Sequence, residues 1–428
     1  MKNILFSLPM LVRNGLTFIL FYHFADALTP TVFGALNLSF AYIVFLNSLL
    51  VFSLGSGFTR YYYERPDSKY RLGFFLISLG VISTNTLVVF LLRDKIFIDK
   101  LSNYSSVIIA ISAMSGLSEL FLIKIRLANE LKSFSILNIS IVLILIILIF
   151  LFGQDGLTLN EILLSYALQF SAVFLIFLCY VFRNATPEIF SYIRENRAQY
   201  RKPVIFSLCV LPGNFGYLLN DAVDKFVISD CLSLGEVATY SFTYQLGFIL
   251  LFVFSVLVKT GLMPFVFQHY KKSTTILTIN RAIKYFTVSY AIFFLVTMWL
   301  KGFAYSFFNE SYAEAAPFLP MVLAAVFYAI LSTVFVININ LAEKAYLGPL
   351  VELSSGLVNL VLSLVLISEH GIVGGFVSTY FSLLFRMVAY LVIGAIVYRK
   401  YKYNLLYITL ASLGMAFISM GSVIQAYS

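Results

Sequence analysis

The chain has 428 residues, of which only 11% are Asp, Glu, Lys or Arg while 61% are apolar. A soluble protein of that size would carry about 25% charged residues, so lipid must cover much of the outside. The net charge of +9 is scattered singly and in short groups between apolar stretches without any RNA- or DNA-binding motif, which argues against nucleic acid as a partner. Cys179, Cys209 and Cys231 lie in or beside apolar segments without metal-type spacing, and only His23, His269 and His370 accompany them. No metal, haem or other cofactor is expected.

Met1 to Ala25 has the apolarity of a signal peptide, but Arg13 interrupts the core and no convincing cleavage site follows. It reads as the first span. Apolar runs of the roughly 20 residues that cross a bilayer fall at 4–26, 33–59, 72–92, 102–123, 133–152 and 160–182. The next are 203–229, 236–268, 282–307, 314–341, 347–367, 371–398 and, last, 404–425. Numbered from the amino terminus, the even loops together with Lys2 hold 21 of the 29 basic residues, and the odd loops hold four. Positively charged loops remain in the cytoplasm, so the alternation predicts a cytoplasmic amino terminus and thirteen crossings.

The pattern is that of an all-α polytopic membrane protein. Its expected organisation is a six-helix bundle over 1–183, a cytoplasmic linker over 184–202, a second six-helix bundle over 203–399 and an additional helix over 400–428. A faint parallel repeat supports the division. Asp26-Ala-Leu-Thr precedes the second span and Asp230-Cys-Leu-Ser the eighth, each with a small residue eight positions after the Asp. Two such bundles usually enclose a central cavity that opens alternately to each side.

Four basic residues fall inside predicted spans, namely Arg13, Lys225, Lys259 and Arg386. A charge at the bilayer centre costs roughly 2.5–3.5 kcal/mol even on the lenient insertion scale, so each should face protein or a water-filled cavity. Helical spacing groups Arg13 with Asn14 and Thr17, Lys259 with Ser241, Gln245 and Ser255, and Arg386 with Thr379, Ser382 and Tyr390. Among the acids, Glu119 follows Ser112 and Ser115, Glu352 heads Ser355, Asn359 and Ser363, and Asp221 and Asp224 share a face with Asn214 and Tyr217. Some roles stay open at this level. Asp221 and Lys225 are spaced for an i,i+4 ion pair, Lys259 either lines a cavity or snorkels, and Glu119 is either a proton-coupling carboxylate or the counter-ion of a buried Arg. A basic excess in a lumen favours an anionic passenger such as a pyrophosphate head group. The Tyr and Phe content suits sugar stacking as well as lipid contact.

Ordered segments then carry a family resemblance. Phe21-Tyr-His-Phe-Ala-Asp-Ala-Leu-Thr-Pro-Thr-Val-Phe-Gly34 leads through an apolar span to Gly55-Ser-Gly-Phe-Thr-Arg60. Asn220-Asp-Ala-Val-Asp224-Lys225-Phe and Val237-Ala-Thr-Tyr240-Ser follow, then Gly348-Pro-Leu and His370-Gly-Ile-Val-Gly-Gly375. Together they resemble the O-antigen and capsule flippases (Wzx type) of the multidrug/oligosaccharidyl-lipid/polysaccharide exporter superfamily. Lys225 stands where an Arg is usual, Thr239 follows Ala238 rather than Gly, and the thirteenth span departs from the commonest twelve-span plan.

The resemblance implies a MATE-like fold and translocation of undecaprenyl-pyrophosphate-linked oligosaccharide across a bacterial cytoplasmic membrane by alternating access. Partners would be the lipid-linked substrate, membrane lipids and the polysaccharide polymerase and chain-length machinery. Arg13, Arg60 and Lys259 occupy the first, second and eighth spans, where related lipid II flippases carry basic cavity residues. The expected cavity set is therefore Arg13, Asn14, Arg60, Lys259 and Arg386, with Glu119, Asp221, Asp224 and Glu352 for ion coupling or as counter-ions. A MATE-type multidrug or cation antiporter and a lipid II flippase are the alternatives. Asn220-Asp221-Ala-Val-Asp224 approaches the Asn-Asp-x-x-Asp motif of intramembrane prenyltransferases, but Ile228 occupies the position of its further Asp. The chain does not read as an enzyme.

Overall fold

The computed structural model describes residues 2–64, 67–153, 156–258, 262–269, 274–305, 310–344, 346–398 and 403–427. Among these the architecture is helical without a strand. The first half holds α1 (Lys2–Ala27), α2 (Pro30–Val51), α3 (Leu54–Tyr61), α4 (Ser68–Leu91), the one-turn α5 (Arg93–Ile96), α6 (Ser105–Leu127), α7 (Leu131–Phe152), α8 (Leu159–Asn184) and α9 (Glu188–Glu195). Then come α10 (Arg197–Cys231), α11 (Leu234–Leu257), α12 (Met263–His269), α13 (Thr274–Tyr305), α14 (Leu319–Leu341), α15 (Leu347–His370), α16 (Ile372–Val397) and α17 (Leu406–Tyr427).

Among the described residues, eleven helices are long and apolar enough to cross a membrane. The expected first and eighth spans fall on α1 and α11, whose 26 and 24 residues also suffice in length. In hydrocarbon every backbone polar group must be satisfied within the segment. Side chains cap some of the helix starts: Asp67 takes the Lys69 N–H at the start of α4, and Thr158 and Glu161 form a reciprocal capping box on α8. Trp299, 84% exposed, and Phe417, 81% exposed, show which faces meet lipid.

One expected span is broken among the described residues. The run 33–59 turns at Phe52 and Ser53, whose φ of 47° and 56° place consecutive non-glycine residues in the left-handed region and end α2 before α3 begins. Asn214 donates to Ser53 Oγ at 2.8 Å, a contact that helps hold the turn. The run 236–268 carries α11 and the short α12. The segment 184–202 carries α9 and the first turns of α10.

The chain forms two compact units, one of residues 1–28 and 38–215, the other of 29–37 and 216–428. The first unit has an aromatic core in which Phe58 packs on Phe74 and Phe75, and Phe75 and Phe121 pack on Phe177. In the second unit α14, buried along most of its length, packs mainly on α16 and α11.

The sequence repeat has a structural counterpart within the second unit. Thr29 Oγ1 accepts the N–H of Val32 and Ser233 Oγ that of Glu236, so the matched hydroxyls occupy equivalent positions at two helix starts. The two starts also touch, for a Cβ on Gly34 would collide with the carbonyl of Leu234. Glycine is required there because backbone meets backbone.

Candidate functional site

The first unit contains a cavity of about 480 Å³ between α1, α2, α6, α7 and α8. Arg13 and Asn14 enter it from α1, Glu119 and Arg126 from α6, Asn138 from α7 and Gln169 from α8. Arg13 Nε leans on Asn14 Oδ1 at 3.4 Å, while Asn47 of α2 donates to Ser115 Oγ of α6 at 3.1 Å. Glu119 is exposed to the cavity and interacts electrostatically with Arg13 and Arg126, without an ion pair to either. Gln169 Oε1 is buried with no hydrogen-bond partner among the described residues. Two cations against one carboxylate leave the cavity lining with a formal positive charge.

The second unit has a cavity of about 440 Å³. Here Arg386 Nη1 meets Glu352 Oε2 at 3.2 Å, and Tyr390 donates to Glu352 Oε1 at 2.8 Å. Arg386 is therefore paired, with Glu352 as its counter-ion. Tyr217 shares this cavity, whereas Asp221, one turn further along α10, does not line it. No ion pair joins Asp221 to Lys225 among the described residues.

Asp224 occupies a third environment. It is 1% exposed and receives hydrogen bonds from Tyr240 (2.9 Å), Asn359 (3.1 Å), Ser363 (2.5 Å), Ser378 (3.0 Å) and Thr379 (2.8 Å). No basic residue forms an ion pair with it among the described residues. Close packing of α10 on α15 makes this possible: a Cβ on Gly216 would strike the Glu352 backbone, and one on Gly356 the carbonyl of Gly216. Asn359 Oδ1 points into the same packing without a hydrogen-bond partner. A carboxylate, four hydroxyls and an amide oxygen without a partner among the described residues form a hard oxygen set of the kind that holds a proton or a small cation.

Of the residues expected at one site, Arg13, Asn14 and Glu119 come together in the first cavity and Glu352 and Arg386 in the second. Arg60 lies on neither; it pairs with Glu64 at 2.8 Å, both side chains more than half exposed. Lys259 lies outside the described residues. Arg126 counted only as a loop charge, although its position seven residues after Glu119 places both on one helical face. Asn138 and Gln169 gave no charge signal at all.

The fold is that of a polytopic helical membrane protein with a cavity in each of its two units. The model of the family described as polysaccharide biosynthesis protein matches residues 1–270, and the chain belongs to that family. No curated protein sequence matches it. Among solved structures, the chain is similar to the lipid II flippase MurJ in an inward closed conformation, with a TM-score of 0.68 and 15% identity over 99% of this chain and 92% of that one. An inward-facing multidrug resistance MATE family transporter of the MOP superfamily gives 0.63 and 12% over 92% and 97%. The Vibrio cholerae MATE transporter VcmN gives 0.55 and 15% over 93% and 94%. At such identities the likeness concerns the fold.

Proposed function

We propose that this chain is a flippase carrying an undecaprenyl-pyrophosphate-linked oligosaccharide (an O-antigen or capsule repeat unit) from the cytoplasmic to the periplasmic leaflet by alternating access. The observation that carries the reading is the basic cavity of the first unit, where Arg13 and Arg126 outnumber Glu119. Guanidinium groups hold pyrophosphate oxygens through charge-assisted hydrogen bonds, while Asn14, Asn47 and Asn138 supply neutral polar partners. The isoprenoid tail needs no protein site, because the bilayer accommodates it.

Asp224 supplies the coupling step in this reading. A proton or small monovalent cation would neutralise the carboxylate, and the hydroxyls around it would turn from donating to accepting. Family membership supports a role in polysaccharide biosynthesis, and loop charges support a cytoplasmic amino terminus in a bacterial inner membrane. A MATE-type drug antiporter fits less well, since the charge that α1 contributes to the cavity is Arg13 rather than a carboxylate that attracts cationic drugs. A lipid II flippase would use the same pyrophosphate chemistry.

Deletion in the native host tests the assignment. Loss of the protein should trap lipid-linked repeat units on the cytoplasmic leaflet and remove surface polysaccharide. Unaltered polysaccharide with new drug sensitivity would overturn the proposal in favour of the antiporter.

A further inference from the structure

The cavity of the second unit has a different chemistry from that of the first. Its only charges among the described residues, Arg386 and Glu352, compensate each other, so no net field draws an anion to it. Its walls offer the rings of Tyr217, Phe248 and Tyr390 and the hydroxyls of Ser255, Ser332 and Thr333. Arg386 is 5% exposed, and its Nε–H is buried without an acceptor among the described residues. A buried guanidinium N–H left unsatisfied costs more than a typical hydrogen bond is worth, so a ligand acceptor at that point would be favoured.

A sugar ring matches these features together. Its hydroxyls both donate and accept, which suits a carboxylate beside a guanidinium with a spare N–H. Its C–H face is apolar and packs on aromatic rings. The volume of about 440 Å³ lies within the range of roughly 300–1,000 Å³ typical of small-molecule sites. We propose that this cavity is a carbohydrate subsite that takes a neutral sugar ring of the lipid-linked oligosaccharide. The proposal rests on the flippase reading and assigns a neutral sugar, rather than the pyrophosphate, to the charge-compensated cavity of the second unit.

The test uses the full chain in lipid nanodiscs and two probes: undecaprenyl pyrophosphate, and the same lipid carrying the host's oligosaccharide repeat. Thr333→Leu fills the cavity, and Glu352→Gln removes the negative charge and replaces one acceptor oxygen by a donor at nearly unchanged volume. Each should weaken binding of the oligosaccharide lipid at least about tenfold more than binding of the bare lipid, a differential of ~1.4 kcal/mol. Arg13→Gln should weaken both lipids together. Should Thr333→Leu yield no folded protein, Glu352→Gln reads the same cavity. If the substituted proteins bind both lipids as the wild type does, or lose both equally, the subsite is overturned and the flippase reading stands. If the wild type binds neither lipid, the flippase reading is overturned and the subsite with it.

Discussion

Replacing Asp224 by Asn tests whether the buried carboxylate is a functional charge or a packing device. A hydrogen bond to a charged group is worth ~1.5–3 kcal/mol, so simple addition over five donors would exceed ~7 kcal/mol, comparable with the whole stability of a domain. The geometry reduces that figure, because every donor has a backbone carbonyl or neighbouring hydroxyl within reach. Ser363 Oγ lies 2.8 Å from the Asn359 carbonyl, Ser378 Oγ 2.9 Å from that of Gly375, and Asn359 Nδ2 3.1 Å from that of Leu219. Thr379 and the Tyr240 hydroxyl are 2.9 Å apart and can bond each other. Asn also keeps one acceptor oxygen. The expected loss is therefore about 2–3 kcal/mol, with a protein that still inserts and folds. Denaturant titration of the purified protein measures the stability, and transport at varied pH and Na⁺ measures the coupling. Cation-dependent stimulation should disappear while basal binding of the lipid persists. A variant that keeps its full cation dependence, or one that fails to fold, refutes this account of Asp224.

Further predictions concern the elements around the sites. Arg386→Met leaves the Glu352 carboxylate without its cation and should cost ~3 kcal/mol or somewhat less, given that Glu352 retains contact with the cavity. Pairing it with Glu352→Met should restore most of that loss in the same unfolding assay. Gly216→Leu drives a side chain into the Glu352 backbone and should abolish accumulation of protein in the membrane, measured by immunoblot and gel filtration. At the start of α4, Tyr192 donates to Asp67 Oδ2 at 2.6 Å, and this bond, aided by the Lys69 N–H, holds the carboxyl below its usual range. The folded value being the lower one, Asp67 contributes stability above the unfolded pKa and loses it as pH falls through the folded value. Wild type should therefore exceed Asp67→Asn in unfolding midpoint at about pH 7 and match it near pH 2, where both forms are neutral. A constant difference across that range contradicts the assignment.

Span positions were readable because hydrocarbon demands long apolar runs, and each of the thirteen expected segments overlaps helix among the described residues. The break at Phe52–Ser53 was not, since neither residue type favours positive φ and a glycine-free turn leaves no local mark. Arg13 and Glu119 could be placed on polar faces from their own helices. That they share one cavity depends on α1 and α6, more than a hundred residues apart, and no periodicity encodes that. Asp224 was recognised as an acid within a span, but its surroundings come from α11, α15 and α16, at separations of up to 155 residues. Its charge is held by hydroxyls and an amide, the residue types that composition ignores. Arg386 and Glu352 were each legible as misplaced charges, while their pairing was not, because it depends on the register of α15 against α16.

The central claim is that a lipid-linked anionic head group passes through a path that needs the basic cavity of the first unit. Its most direct measurement is the rate at which an undecaprenyl-pyrophosphate-linked oligosaccharide changes leaflet in proteoliposomes containing the purified chain. Wild type should accelerate the exchange, and Arg13→Gln combined with Arg126→Gln should return it to the protein-free rate in a protein that remains folded. Unchanged exchange in that double variant would contradict the account.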